Sequence, residues 1–83
     1  MSTTKETIRE ALVDLGIPED EVVPEAELRA DLDVDSTELV EVVAEINAKV
    51  GTRLNSKALK GVRTVGDLTE VVERALAGTP ANA

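Results

Sequence analysis

Residues 28–51 read LRADLDVDSTELVEVVAEINAKVG, and the later two thirds of that stretch decide the fold. Asp35 followed by Glu38 has the spacing of a capping box, in which two side chains satisfy each other's orphan backbone amides at a helix start. Leu39, Val42, Val43, Ile46 and Val50 then recur at helical intervals, and Gly51 stands where a left-handed stop is needed. The pattern predicts a helix over 36–50 with one apolar face. Glu38, Glu41 and Glu45 fall on another face, toward solvent.

Similar signals flank this helix. Ile8, Ala11, Leu12 and Leu15 share one helical face, Thr3 and Glu6 have capping spacing, and Gly16 follows; together they predict a helix over about 4–15. Between 17 and 35, Pro18 and Pro24 prevent a long helix and no strand-like alternation occurs. That segment reads as an ordered loop pinned to the core by Ile17, Val22, Val23, Leu28 and Leu32, with a helical turn near 19–22. Asn55 or Ser56 is placed to open a short helix over 56–60, ending at Gly61. Thr64 and Asp67 form a second capping pair for a helix over 65–77, with Leu68, Val71, Val72, Ala75 and Leu76 as its buried face. Gly78 and Pro80 stop it, and 78–83 is expected to be a flexible tail. The expectation is an all-α four-helix bundle, a single domain over 1–83.

Composition narrows the function. Of 83 residues, 17 are Asp or Glu and 9 are Lys or Arg, giving a net charge of −8, which opposes binding to nucleic acid or an anionic membrane. There is no Cys and no His, so disulfides, thiol nucleophiles, imidazole bases and Cys/His metal sites are excluded. There is no aromatic residue to stack on a base or sugar. The polar N-terminus lacks the apolar run of a signal peptide, and no apolar stretch approaches a membrane span, so the expected location is cytoplasmic.

The charge is also unevenly spread. Glu25, Glu27, Asp31, Asp33, Asp35, Glu38, Glu41 and Glu45 surround Arg29 alone, whereas Lys49, Arg53, Lys57, Lys60 and Arg63 follow with no acid among them. The acidic block is a natural docking face for a basic partner. Its glutamates have no His beside them and read as a solvated face rather than a bundle metal site. Asp31, Asp33 and Asp35 alternate as in a calcium loop but lack its glycine and distal glutamate. No metal site is expected.

Ser36 stands at the centre of the acidic block, at the start of the predicted helix 36–50. A group on its hydroxyl would emerge at the positive end of a helix dipole, where a phosphodiester anion is well tolerated. Taken by itself, an Asp-Ser pair at this position reads as an ordinary capping or first-turn serine.

The stretch from Leu28 to Val43 resembles the signature of acyl carrier proteins, L-x-x-D-L-G-x-D-S-L-x-x-V-E. The likeness extends from the first helix to the last. It implies a four-helix fold and a 4′-phosphopantetheine group attached to Ser36, transferred from coenzyme A by a phosphopantetheinyl transferase with Asp35 in support. It further implies a carrier that is not itself an enzyme: a stand-alone monomer holding acyl or aminoacyl groups as thioesters. Asp31, Asp35, Thr37, Glu38, Val40, Glu41, Ala44 and Glu45 would meet partner enzymes, namely an acyltransferase, ketosynthase or adenylating enzyme with a basic docking surface.

Several positions depart from the family pattern. Asp33 replaces a usual glycine and Thr37 a usual leucine, Ala44 is small, Asn47-Ala48-Lys49 replaces an acidic run, and Val50 stands where phenylalanine is frequent. These differences point away from housekeeping fatty acid synthesis and toward polyketide or mixed polyketide–peptide biosynthesis of the antibiotic kind. The peptidyl carriers of nonribosomal pathways, which favour a glycine-rich approach to the serine, are the nearest alternative. An unmodified acidic interaction module is the other.

Overall fold

A computed structural model describes residues 3–55 and 57–77. It contains three α-helices, α1 (Thr3–Asp14), α2 (Ser36–Val50) and α3 (Val65–Leu76), with a single 3-10 turn at Glu19–Glu21. No strand occurs among the described residues; the only extended pairing is an isolated antiparallel bridge between Glu27 and Thr64. α1 packs chiefly on α2 and also on α3.

Each helix end has a local cause. At α2, Asp35 Oδ1 accepts the Glu38 N–H at 2.9 Å and Glu38 Oε1 accepts the Asp35 N–H at 3.3 Å, a reciprocal capping box. Gly51, at φ 81°, closes the other end in the left-handed conformation glycine adopts without strain. At α3, Thr64 Oγ1 accepts from the Asp67 N–H at 3.1 Å, and Asp67 Oδ2 accepts from the backbone of both Thr64 and Arg63. Those two amides hold the Asp67 carboxyl below its ordinary pKa, because they stabilise the charged form. The Thr3 side chain expected to cap α1, and the Gly78 and Pro80 stops, lie outside the described residues.

The core is wholly aliphatic. Ile8, Leu12, Val42, Ile46, Leu68 and Val72 come from the three helices, and Leu28 and Val34 are inserted from the first loop; all eight are essentially fully buried. The loop can enter the core because its backbone polar groups are paired. The Leu28 N–H donates to the Arg63 carbonyl at 2.8 Å and the Val34 N–H to the Leu28 carbonyl at 2.7 Å. In return, Ala26 and Pro24 carbonyls accept the otherwise orphaned N–H groups of Val65 and Gly66, each at 3.0 Å, at the start of α3. Gly66 permits this approach: a Cβ there would stand 3.2 Å from the Pro24 carbonyl oxygen.

Three sequence expectations need correction. The short helix over 56–60 is not an α-helix among the described residues: 57–61 are turns, with three-residue hydrogen bonds from Ala58 to Asn55 and from Lys60 to Lys57. Asn55 Oδ1 does accept the Ala58 N–H, while Ser56, the other candidate opener, lies outside the described residues. Lys57 and Lys60 are exposed and Gly61 turns left-handed at φ 85°, so the segment has too little apolar face to nucleate an α-turn. Val23 is 41 % exposed rather than pinned to the core. On α3 the buried stripe is Val65, Leu68, Thr69 and Val72; Val71 is half-buried, and Ala75 and Leu76, both expected on the buried face, are exposed, Leu76 by 45 %.

Candidate functional site

α2 positions the site. Its capping box occupies the side chains of Asp35 and Glu38, while Ser36, the first helical residue, is exposed and its hydroxyl makes no hydrogen bond among the described residues. The hydroxyl therefore stands free at the helix N-terminus, where unpaired amides and the macrodipole favour an attached anion.

From Ser36 an exposed stripe runs along α2: Thr37, Val40, Glu41 and Ala44, spaced i, i+3, i+4, i+7, all face solvent. Val40 is 56 % exposed, the most exposed large apolar side chain among the described residues. This is one continuous surface of a polar, an apolar, an acidic and a small residue. The other residues expected to meet partners have structural work as well. Asp31 Oδ2 accepts the Glu27 N–H at 2.7 Å and closes the turn 27–31. Glu38 is half-buried in its cap, and Glu45 is half-buried and pairs with Lys49 at 3.2 Å. The Glu45 pairing, joined by a contact from Glu10 of α1, holds the Lys49 ammonium above its ordinary pKa.

Ser36, together with Asp35 and Glu27, also borders a cavity of about 250 Å³. Leu28, Val34, Leu39 and Val62 supply its apolar lining, and Arg29 and Arg63 also border it. The run of basic residues without an acid was visible in the sequence, but nothing there placed Arg63 beside Ser36. The bridge between Glu27 and Thr64 does so, by drawing the first loop onto the start of α3. Among the described residues, no group of three or more acidic side chains converges as a metal site. No described helix is long and apolar enough to cross a membrane.

Residues 6–72 match the family defined as the phosphopantetheine attachment site. The chain belongs to the acyl carrier protein family. It is 42 % identical over 67 residues, 80 % of this chain and 70 % of the relative, to the acyl carrier protein of Saccharopolyspora erythraea. It is 38 % identical to that of Acidothermus cellulolyticus over 80 residues, 90 % of this chain and 95 % of the relative. The meromycolate extension acyl carrier protein of Mycolicibacterium smegmatis is 34 % identical over 79 residues, covering 89 % of this chain and 80 % of its own length. Acyl carrier proteins bear a covalent 4′-phosphopantetheine installed by a phosphopantetheinyl transferase, and they present acyl groups to partner enzymes.

Proposed function

We propose that 4′-phosphopantetheine is attached to Ser36 and that this acyl carrier protein presents acyl or aminoacyl groups to enzymes of a polyketide or mixed polyketide–peptide pathway. The observation that carries this reading is the exposed, uncommitted hydroxyl of Ser36 at the first position of α2, between two capping side chains that are already engaged. In the modification, a P–O bond forms to Ser36 Oγ and the diphosphate bond of coenzyme A breaks. The hydroxyl proton passes to a base of the transferase, and the nucleotide half departs. The bound group supplies a terminal thiol that holds cargo as a thioester. The chain has no Cys or His with which to make or hydrolyse such a bond, so it is not an enzyme and the catalysts are its partners.

Asp35 supports recognition by the transferase, and the stripe Thr37, Val40, Glu41 and Ala44 faces the basic docking surface of an acyltransferase, ketosynthase or adenylating enzyme. The work is done in the cytoplasm. A second pathway reading, extension of a fatty-acid-like chain, is favoured by similarity to a carrier named for meromycolate extension. Polar Thr37 and small Ala44 on the docking stripe support the first.

Intact mass spectrometry after incubation with coenzyme A, magnesium and a broad-specificity transferase tests the attachment. A gain of one phosphopantetheine unit that is absent in Ser36→Ala is expected. No gain in a folded helical sample would leave an unmodified acidic interaction module. Loading by malonyl-type transferases, adenylating enzymes or long-chain acyl donors then separates the pathway readings.

A further inference from the structure

Ser36 shares a cavity with charges of both signs: the guanidinium-bearing Arg29 and Arg63 border it, as do Glu27 and the N-cap Asp35, while Glu38 and Glu41 lie farther along α2 and outside its lining. These two arginines come from segments far apart in the chain. They meet at one edge because the Leu28 N–H donates to the Arg63 carbonyl and because Glu27 bridges to Thr64.

Neither guanidinium is in an ion pair with a described residue. The ion pairs among the described residues use Arg9, Lys49 and Arg74. Glu27 also borders the cavity, yet lies beyond ion-pair distance of both arginines. Asp67 feels the charge of Arg63, but its Oδ2 is committed to the backbone N–H groups of Arg63 and Thr64. Two planar, five-donor cations thus border the same cavity as the exposed serine, neither within ion-pair distance of a described carboxylate, and their donor geometry matches phosphate oxygens.

We propose that Arg29 and Arg63 bind the phosphodiester of the prosthetic arm on Ser36 and draw the arm over the cavity edge, away from Glu38 and Glu41 on α2. This rests on the attachment at Ser36 proposed above. Coulomb's law sets the direction: the phosphodiester is repelled by Asp35, Glu38 and Glu41 and attracted by the two guanidiniums. The consequence is a division of labour around one serine. Partner docking uses the α2 stripe and arm positioning the cavity edge.

The test uses the holo-protein with a free thiol, so that the phosphodiester is the only anion on the arm. Mass spectrometry first establishes the modification. No mass gain overturns the attachment reading, and this one with it. A mass gain puts the arginines alone at issue. The Arg29 and Arg63 side-chain Nε–H resonances are expected to shift between apo- and holo-protein, while those of Arg53 and Arg74 stay fixed. The phosphorus resonance of the holo-protein should move in Arg29→Ala and Arg63→Ala, approaching its position in concentrated urea in the double variant. Arg29→Lys should restore part of the shift. Unchanged Arg29 and Arg63 resonances on modification, or an arginine response that arises only after a carboxylated acyl group is loaded, would overturn the proposal. Should Arg63→Ala fail to fold, the wild-type apo–holo comparison and Arg29→Ala decide.

Discussion

Asn47 grips Leu54 with both ends of its carboxamide: Nδ2 donates to the Leu54 carbonyl and Oδ1 accepts the Leu54 N–H, each at 3.0 Å. The same Oδ1 accepts the Thr52 hydroxyl at 2.7 Å. Asn47 therefore makes the hydrogen bonds of a paired backbone segment for a loop that has no secondary structure. Asn47→Ala should destabilise the domain by about 1–3 kcal/mol, because partly buried groups of Leu54 lose their partners. Urea denaturation gives the size, and faster amide exchange in 52–61 locates the effect. An unchanged urea midpoint would mean the loop is held elsewhere.

Ile46 and Leu39 were both expected on the buried face of α2, but they differ. Ile46 is fully buried, whereas Leu39 is half-buried and lines the cavity beside Ser36. Ile46→Ala should cost about 2–5 kcal/mol by chemical denaturation, and Leu39→Ala clearly less, since truncation beside an existing cavity removes fewer contacts. Equal losses would contradict this difference in burial.

Asp33 adopts φ 59°, the left-handed region, at the position where the signature that this stretch resembles has glycine. Asp33→Gly is expected to be neutral or to stabilise by up to ~1 kcal/mol, as relief of the left-handed strain competes with added chain entropy. Asp33→Val should destabilise by ~1–2 kcal/mol, because a β-branched residue tolerates this conformation poorly. Thermal midpoints of the two variants, compared with wild type, check the ordering.

The Asp67 carboxyl is lowered in the folded state by the Arg63 and Thr64 amides. A depressed folded value means that its contribution is present above the unfolded pKa, near 3.9 for aspartate, and is lost as pH falls through the lower folded value. Stability should therefore fall with acidification from about pH 4 downward. Asp67→Asn should reduce neutral-pH stability and flatten that part of the acid profile. Parallel acid profiles for wild type and variant would rule out this contribution.

Glu41 is exposed on the α2 stripe proposed to meet partners and has no ion pair among the described residues. Glu41→Lys should leave stability within about 0.5 kcal/mol of wild type. Transfer to a cognate basic partner should slow, with a weaker salt dependence, because a rim charge acts mainly on encounter. Unchanged transfer kinetics would remove Glu41 from the docking surface.

The helices and their caps were legible from neighbouring residues. Asp35 with Glu38 and Thr64 with Asp67 are three-residue relationships, Gly16 and Gly51 are single-residue stops, and the α2 stripe is a periodicity within one turn-by-turn pattern. Ser36 at the head of α2 was legible for the same reason. Of the short helix expected over 56–60, the described residues form hydrogen-bonded turns rather than an α-helix, because a capping residue and a glycine stop bracket few apolar side chains.

Other features needed segments distant in the chain to meet. The burial of Leu28 and Val34 depends on hydrogen bonds that tie the first loop internally and to the start of α3. The cavity beside Ser36, with Arg29 and Arg63 at its edge, exists because Glu27 and Thr64 form a bridge across 37 positions (64 − 27). Capping and periodicity are contests among adjacent groups, so the chain announces them. The loop's burial and the meeting of Arg29 with Arg63 at the cavity beside Ser36 arise from long-range backbone pairing, which no local pattern encodes.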